Sequence, residues 1–104
     1  MRVLYDTSAV VTILARRGEI LKLKSDVLMR LVEPIVSDYI LDEIEEVLST
    51  KFMFTKQKAK SHTRLYGRIA TTVNPKGIEK ISRDPNDDPV LAAAVIGDVE
   101  YIVT

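Results

Sequence analysis

Short apolar runs alternate with amphipathic stretches along the whole chain. Val3-Leu4-Tyr5 is apolar without polar alternation, as in a parallel-sheet strand covered on both faces. Ser8–Ala15 (SAVVTILA) predicts a helix, with Thr7 or Ser8 as its cap. Ile20–Val32 places Leu21, Leu28, Leu31 and Val32 at near-helical spacing. Ile35-Val36, after Pro34, predicts a second short strand, and Ser37 or Asp38 can cap the helix that follows. In that helix Ile40, Ile44, Val47 and Leu48 fall on one stripe. Thr55–Thr72 reads as a basic helix with Ala59, Leu65 and Ile69 on its apolar side. Val73–Arg83, which carries Pro75 and Gly77, predicts a loop with one short strand near Ile78–Ile81. Asp88-Pro89 is a helix start, acid as cap and proline in the first turn, for a helix running to about Gly97. Tyr101-Ile102-Val103 ends the pattern as a last strand.

Alternating strands and helices predict an α/β sandwich on a mostly parallel sheet. The 104 residues contain no repeat, linker or low-complexity segment, so residues 1–104 are expected to form a single domain with one modest core. The absence of Cys removes disulfides, thiol nucleophiles, Cys-based zinc sites and iron–sulfur clusters. One imidazole, His62, removes zinc sites built from several His ligands. No run approaches the roughly 18 apolar residues of a membrane span, and Met1–Asp6 does not read as a signal peptide. The expectation is a soluble, cytoplasmic protein.

Charge changes the picture through its distribution. Fifteen Lys and Arg balance fifteen Asp and Glu, for a formal net charge of zero. Asp38–Glu46 nevertheless carries Asp38, Asp42, Glu43, Glu45 and Glu46 with no base, and Lys51–Arg68 carries Lys51, Lys56, Lys58, Lys60, Arg64 and Arg68 with no acid. Asp84–Glu100 is acidic again. Any one such block has an ordinary explanation as a solvated helix face.

In parallel α/β sheets ligands bind at the carboxyl ends of the strands. Asp6 closes the first strand there, where its alternative use is to cap the next helix. Glu43 lies at one margin of the apolar stripe and Glu45 at the other, so periodicity does not separate them. Asp84, Asp87 and Asp88 crowd one helix entrance, where a cap needs only one acid. Carboxylates gathered without His or Cys suit a hard divalent ion, Mg²⁺ or Mn²⁺, which takes oxygen ligands and acts on phosphate esters. Gly18, Gly67, Gly77 and Gly97 are isolated, so there is no glycine-rich phosphate loop. A Ser–His–Asp triad would have to use His62, in the basic helix, and Tyr66 in that helix reads as packing.

These residues, in this order, resemble the PIN-domain nucleases, in particular the VapC-type toxins of prokaryotic toxin–antitoxin pairs. Val3-Leu-Tyr-Asp6-Thr-Ser8 is similar to the family's first motif, Ser37–Leu48 to its second, with Glu43 as the motif's Glu, and Arg83–Ala94 to its third. Tyr101-Ile-Val-Thr104 resembles the strand that leads into the fourth. The resemblance covers the whole chain. It implies a PIN-like three-layer α/β/α sandwich, with Asp6, Glu43 and Asp87 as catalytic metal ligands and Ser8 and Thr104 as supporting hydroxyls. Asp88 competes with Asp87 for the third position, and Asp84 is a possible additional acid. The implied chemistry is cleavage of single-stranded RNA with Mg²⁺ or Mn²⁺, with Lys56, Lys60, Arg64 and Arg68 contacting phosphates. A cognate antitoxin and a homodimer are the implied partners. The family has a further Asp, strand and helix after the position of Thr104, so the chain is expected to be C-terminally short. An inactive PIN-like protein that acts only as a binding partner is the alternative.

Overall fold

Four strands of two to four residues make one sheet: β1 (Arg2–Tyr5), β2 (Glu33–Val36), β3 (Thr71–Thr72) and β4 (Tyr101–Val103). The structure, a computed structural model, describes residues 1–16, 18–74 and 88–104, with the backbone alone at Asp88. The strand order is β3-β2-β1-β4, and every pairing is parallel. Leu4 is the pivot of the register, opposite Ile35 on one side and Ile102 on the other. Pro34 is tolerated in an interior strand because β3 pairs only with Ile35 and Val36. The Glu33 N–H points to β1, where it donates to the Met1 carbonyl at 2.7 Å, so the missing N–H of Pro34 falls on the side that β3 does not reach.

The described helices are α1 (Thr7–Ala15), α2 (Glu19–Leu28), α3 (Asp38–Lys51), α4 (Lys56–Ile69) and α5 (Asp88–Ile96). Parallel crossovers are right-handed, so β1-α1-α2-β2 and β2-α3-α4-β3 step the same way and stack α1–α4 on one face. The return from β3 to β4 crosses the sheet in the opposite sense and puts α5 on the other face. The result is the α/β/α sandwich expected. Its core joins Leu4 and Val36 of the sheet to Val10, Ile44, Leu48 and Tyr66 of the helices.

Several local expectations are corrected. The cap of α1 is neither Thr7 nor Ser8 but Asp6, whose Oδ1 accepts the Ala9 N–H at 3.0 Å. Of the two caps expected for α3 the structure uses Ser37, its Oγ accepting the Ile40 N–H at 3.2 Å. Helix α2 ends at Leu28 and buries Leu23, while Leu21, Leu28 and Leu31 are exposed. A helix lying on other helices buries only the narrow strip that faces them, here centred on Leu23 with Ile20 and Val27 beside it. The basic helix stops at Ile69, and Thr71–Thr72 leaves it to join the sheet. Its buried face is Ala59, Thr63 and Tyr66, not Leu65. The strand expected near Ile78–Ile81 lies outside the described residues.

Helix α5 is built of small residues. Ala92 and Ala93 are fully buried, and a Cβ placed on Gly97 would meet the Ile35 side chain at 2.6 Å. Gly97 is needed for this close approach to β2. The left-handed conformation that often requires glycine after a helix is taken instead by Asp98, at φ 50°.

Candidate active site

Strand β1 ends by delivering Asp6 to the carboxyl edge of the sheet, where the Asp6 N–H donates to the Val103 carbonyl at 2.9 Å. That bond ties the residue to β4 before the chain turns into α1. Oδ1 of Asp6 accepts both the Ala9 N–H and the Ser8 hydroxyl, each at 3.0 Å. Capping and a role in the site are therefore compatible, because both hydrogen bonds fall on the same carboxylate oxygen.

Glu43 arrives from α3. The helix turns its Ile40, Ile44 and Leu48 stripe into the core, which leaves Glu43 half-buried on the margin toward α1. The Thr7 hydroxyl donates to Glu43 Oε1, so the residue after Asp6 in sequence holds the carboxylate that comes from the other helix. Asp6, Thr7, Ser8 and Glu43 line one open cleft of about 340 Å³, with Val47, Lys51 and Val90. Glu45, which periodicity did not distinguish from Glu43, lies on the opposite flank of α3 in a groove with Asp42, Glu46, Ser49, Lys56 and Lys60.

The other expected residues are distributed as follows. Ser8 touches Asp6 and lines both the cleft and a neighbouring depression. Thr104 lies in that depression with Tyr5 and Thr12, on the far side of Ser8 from Glu43. Asp84, Asp87 and the Asp88 side chain lie outside the described residues, although the first turn of α5 reaches the cleft through Val90. Among the described residues no group of three His, Cys, Asp or Glu side chains converges.

The basic residues occupy a different surface. Lys60, Arg64 and Arg68 stand together along α4 with Gln57 and Ser61, and Lys56 with Lys60 faces the outer acids of α3. None of the four lines the carboxylate cleft. His62 is partly exposed and meets the Phe54 ring edge-on at 5.1 Å, which makes it a packing residue of the α4 entrance.

Two residues of the cleft were missed by sequence reasoning. Thr7 had a signal in its position directly after Asp6, but nothing in the sequence indicates that its hydroxyl reaches a helix 36 residues away. Lys51 had the spacing Glu43, Val47, Lys51, which is one helical stripe. Its role was absorbed into the basic block that follows it.

The cleft presents carboxylate and hydroxyl oxygens with no imidazole or thiol among its lining, a donor set that matches hard Mg²⁺ or Mn²⁺. In comparisons with known proteins, a family model described as a PIN domain matches residues 2–104. No curated protein and no solved structure matches the chain.

Proposed function

The chain belongs to the PIN-domain family, a family of nucleases, and from that premise we propose that it is a metal-dependent endoribonuclease acting on single-stranded RNA as the toxin of a toxin–antitoxin pair. The observation that carries this reading is the meeting of Asp6 and Glu43 in one cleft at the carboxyl end of the sheet, from elements 37 positions apart in sequence.

Asp6 and Glu43 would hold the ion, joined by Asp87, three positions before Val90 in the sequence, or by its neighbour Asp88. Asp84 is a further candidate at that end. When bound, Mg²⁺ or Mn²⁺ supplies activation of water and stabilisation of negative charge on the phosphodiester oxygens. The chain's own part is to aim the donors. Thr7 fixes the rotamer of Glu43, and Ser8 with the Ala9 N–H fixes Asp6, leaving its second oxygen uncommitted by these bonds. Thr104, next to Ser8, supports the same end of the sheet. Lys56, Lys60, Arg64 and Arg68 on α4 contact phosphates of the RNA beyond the cleft. In this reading the partners are the RNA, a cognate antitoxin and a second copy of the chain, and the compartment is the cytoplasm. No described helix is long and apolar enough to cross a membrane.

The test is cleavage of a single-stranded RNA with Mn²⁺, with EDTA in its place, and by the Asp6→Asn variant. Asn caps helices as well as Asp does, so the variant isolates the carboxylate from the cap. Chelation is expected to abolish cleavage, and Asp6→Asn to reduce it by about a hundredfold or more, beyond what loss of a supporting hydrogen bond costs. Equal cleavage in all three reactions overturns the reading.

A further inference from the structure

The basic helix α4 contributes nothing to the carboxylate cleft, yet the cleft has a cation of its own. Lys51, in the last turn of α3, lines it together with Asp6, Thr7, Ser8 and Glu43. It stands on the same stripe as Glu43, eight positions on, with Val47 between them as an apolar floor. That is about 12 Å along the helix axis, and the Cα–Cβ bonds of a helix tilt toward its N-terminus, so the Lys51 side chain sets out toward the Val47 and Glu43 end of the stripe. It nevertheless forms no ion pair with Glu43 or Asp6: the ion pair among the described residues is Arg2 with Glu33, on the other edge of β1. Among the described residues Lys51 is an exposed lysine in the same cleft as two carboxylates and paired with neither, a cation placed to meet a ligand that brings its own negative charge. A helix C-terminus alone also favours a lysine, and that is the structural alternative.

We propose that Lys51 binds a backbone phosphate of the substrate, the one next along the strand from the phosphate that would meet the ion held by Asp6 and Glu43. The proposal rests on the nuclease reading above and deepens it. Lys51 sets where the strand lies across the cleft, and the α4 bases are an outlying contact. Because the flanking phosphate changes little during reaction, its contact stabilises bound substrate and transition state alike. Loss of the contact raises KM and leaves kcat nearly unchanged.

The experiment compares the wild-type chain with Lys51→Gln and Lys51→Arg in three measurements. These are steady-state cleavage of a single-stranded RNA with Mn²⁺, equilibrium binding of the same RNA across a salt series on the Asp6→Asn background, and thermal melting. Lys51→Gln is expected to raise KM roughly fivefold at low salt with kcat within about twofold. It should also flatten the plot of log affinity against log salt by about 0.7, the value of one single-strand phosphate. Lys51→Arg, which keeps the charge, restores both, and the melting temperature stays put. An unchanged salt slope in Lys51→Gln, with a salt-dependent parent, overturns the assignment of Lys51 and leaves the nuclease reading intact. A lowered melting temperature with unchanged KM assigns Lys51 to the helix end and overturns the proposal. A parent that neither binds nor cuts RNA overturns the nuclease reading itself.

Discussion

Asp6 shows how a helix cap can leave a carboxylate oxygen free for a second use. As an extended residue after a buried strand it must satisfy the free N–H groups of α1, and as a carboxylate at the sheet edge it is available to a cation. Reading it as either a cap or a ligand was a false choice, since the cap engages only Oδ1. Tyr66 presents a buried hydroxyl without that economy. Its ring fills the space under α4 with no exposure, and its hydroxyl has no hydrogen-bond partner among the described residues. Burial pushes its pKa far up, assisted by Tyr5, whose own pKa is raised by burial and then by the Asp26 carboxylate. Unfolded tyrosines lose their protons near pH 10. Both groups therefore contribute stability that is complete below about pH 10 and is lost as pH rises through their raised folded values. Tyr66→Phe keeps the ring and removes the unsatisfied oxygen. It is expected to be neutral or to stabilise the fold by about 1 kcal/mol at pH 7. It should also move alkaline unfolding, followed by circular dichroism against pH, to higher pH.

At the level of elements, periodicity identified helices well and their buried faces less well. The α3 stripe was legible because α3 packs against α1, α4 and α5, and Ile40, Ile44 and Leu48 are all fully buried. The α2 stripe was misread because Leu21 and Leu28 share a face that nothing described covers and Leu31 lies past the helix end, while Leu23, with Ile20 and Val27 beside it, makes the contact. The end of α5 was legible in position but not in reason. A glycine after a helix suggests a left-handed cap, whereas Gly97 is there because Ile35 and the Ala93 carbonyl leave no room for a Cβ. Gly97→Ala should therefore destabilise the fold by about 1–3 kcal/mol, the cost of overpacking, despite alanine's better helix propensity. Urea unfolding measures it, and a neutral or stabilising substitution would show that α5 can move off the sheet.

Across the whole molecule the zero net charge conceals a division of labour in space. Asp6, which follows β1, and Glu43 of α3 share a cleft with one lysine, while Lys60, Arg64 and Arg68 stand along α4. The cleft is assembled from Asp6 at the end of β1 and from α1, α3 and α5, so an ion held there cross-links the fold at its sheet edge. Mn²⁺ at a hundred times its dissociation constant would stabilise the folded chain by about 2.7 kcal/mol. For a domain of this size that corresponds to a rise in melting temperature on the order of 10 °C or more. Calorimetric melts should show the rise in the wild type and little of it in Glu43→Gln.

By itself the sequence determined the alternation of strands and helices apart from β3, the mostly parallel sheet, the placing of Asp6 at a strand end and the pairing of Glu43 with an apolar margin. These follow from local periodicity and from the handedness that connects neighbouring strands. The resemblance, not periodicity, chose Glu43 over Glu45; the tertiary structure alone decided that Thr7 joins Glu43 to the Asp6 end of the sheet, that Lys51 enters the cleft and that the α4 bases do not. The direction in which a helix margin looks depends on how that helix is rotated against its neighbours, and that rotation is set by contacts such as Tyr66 beneath α4 and Gly97 against Ile35. Periodicity fixes which side of α3 is apolar; the packing of α1 against α3 fixes which of its two flanks becomes a site.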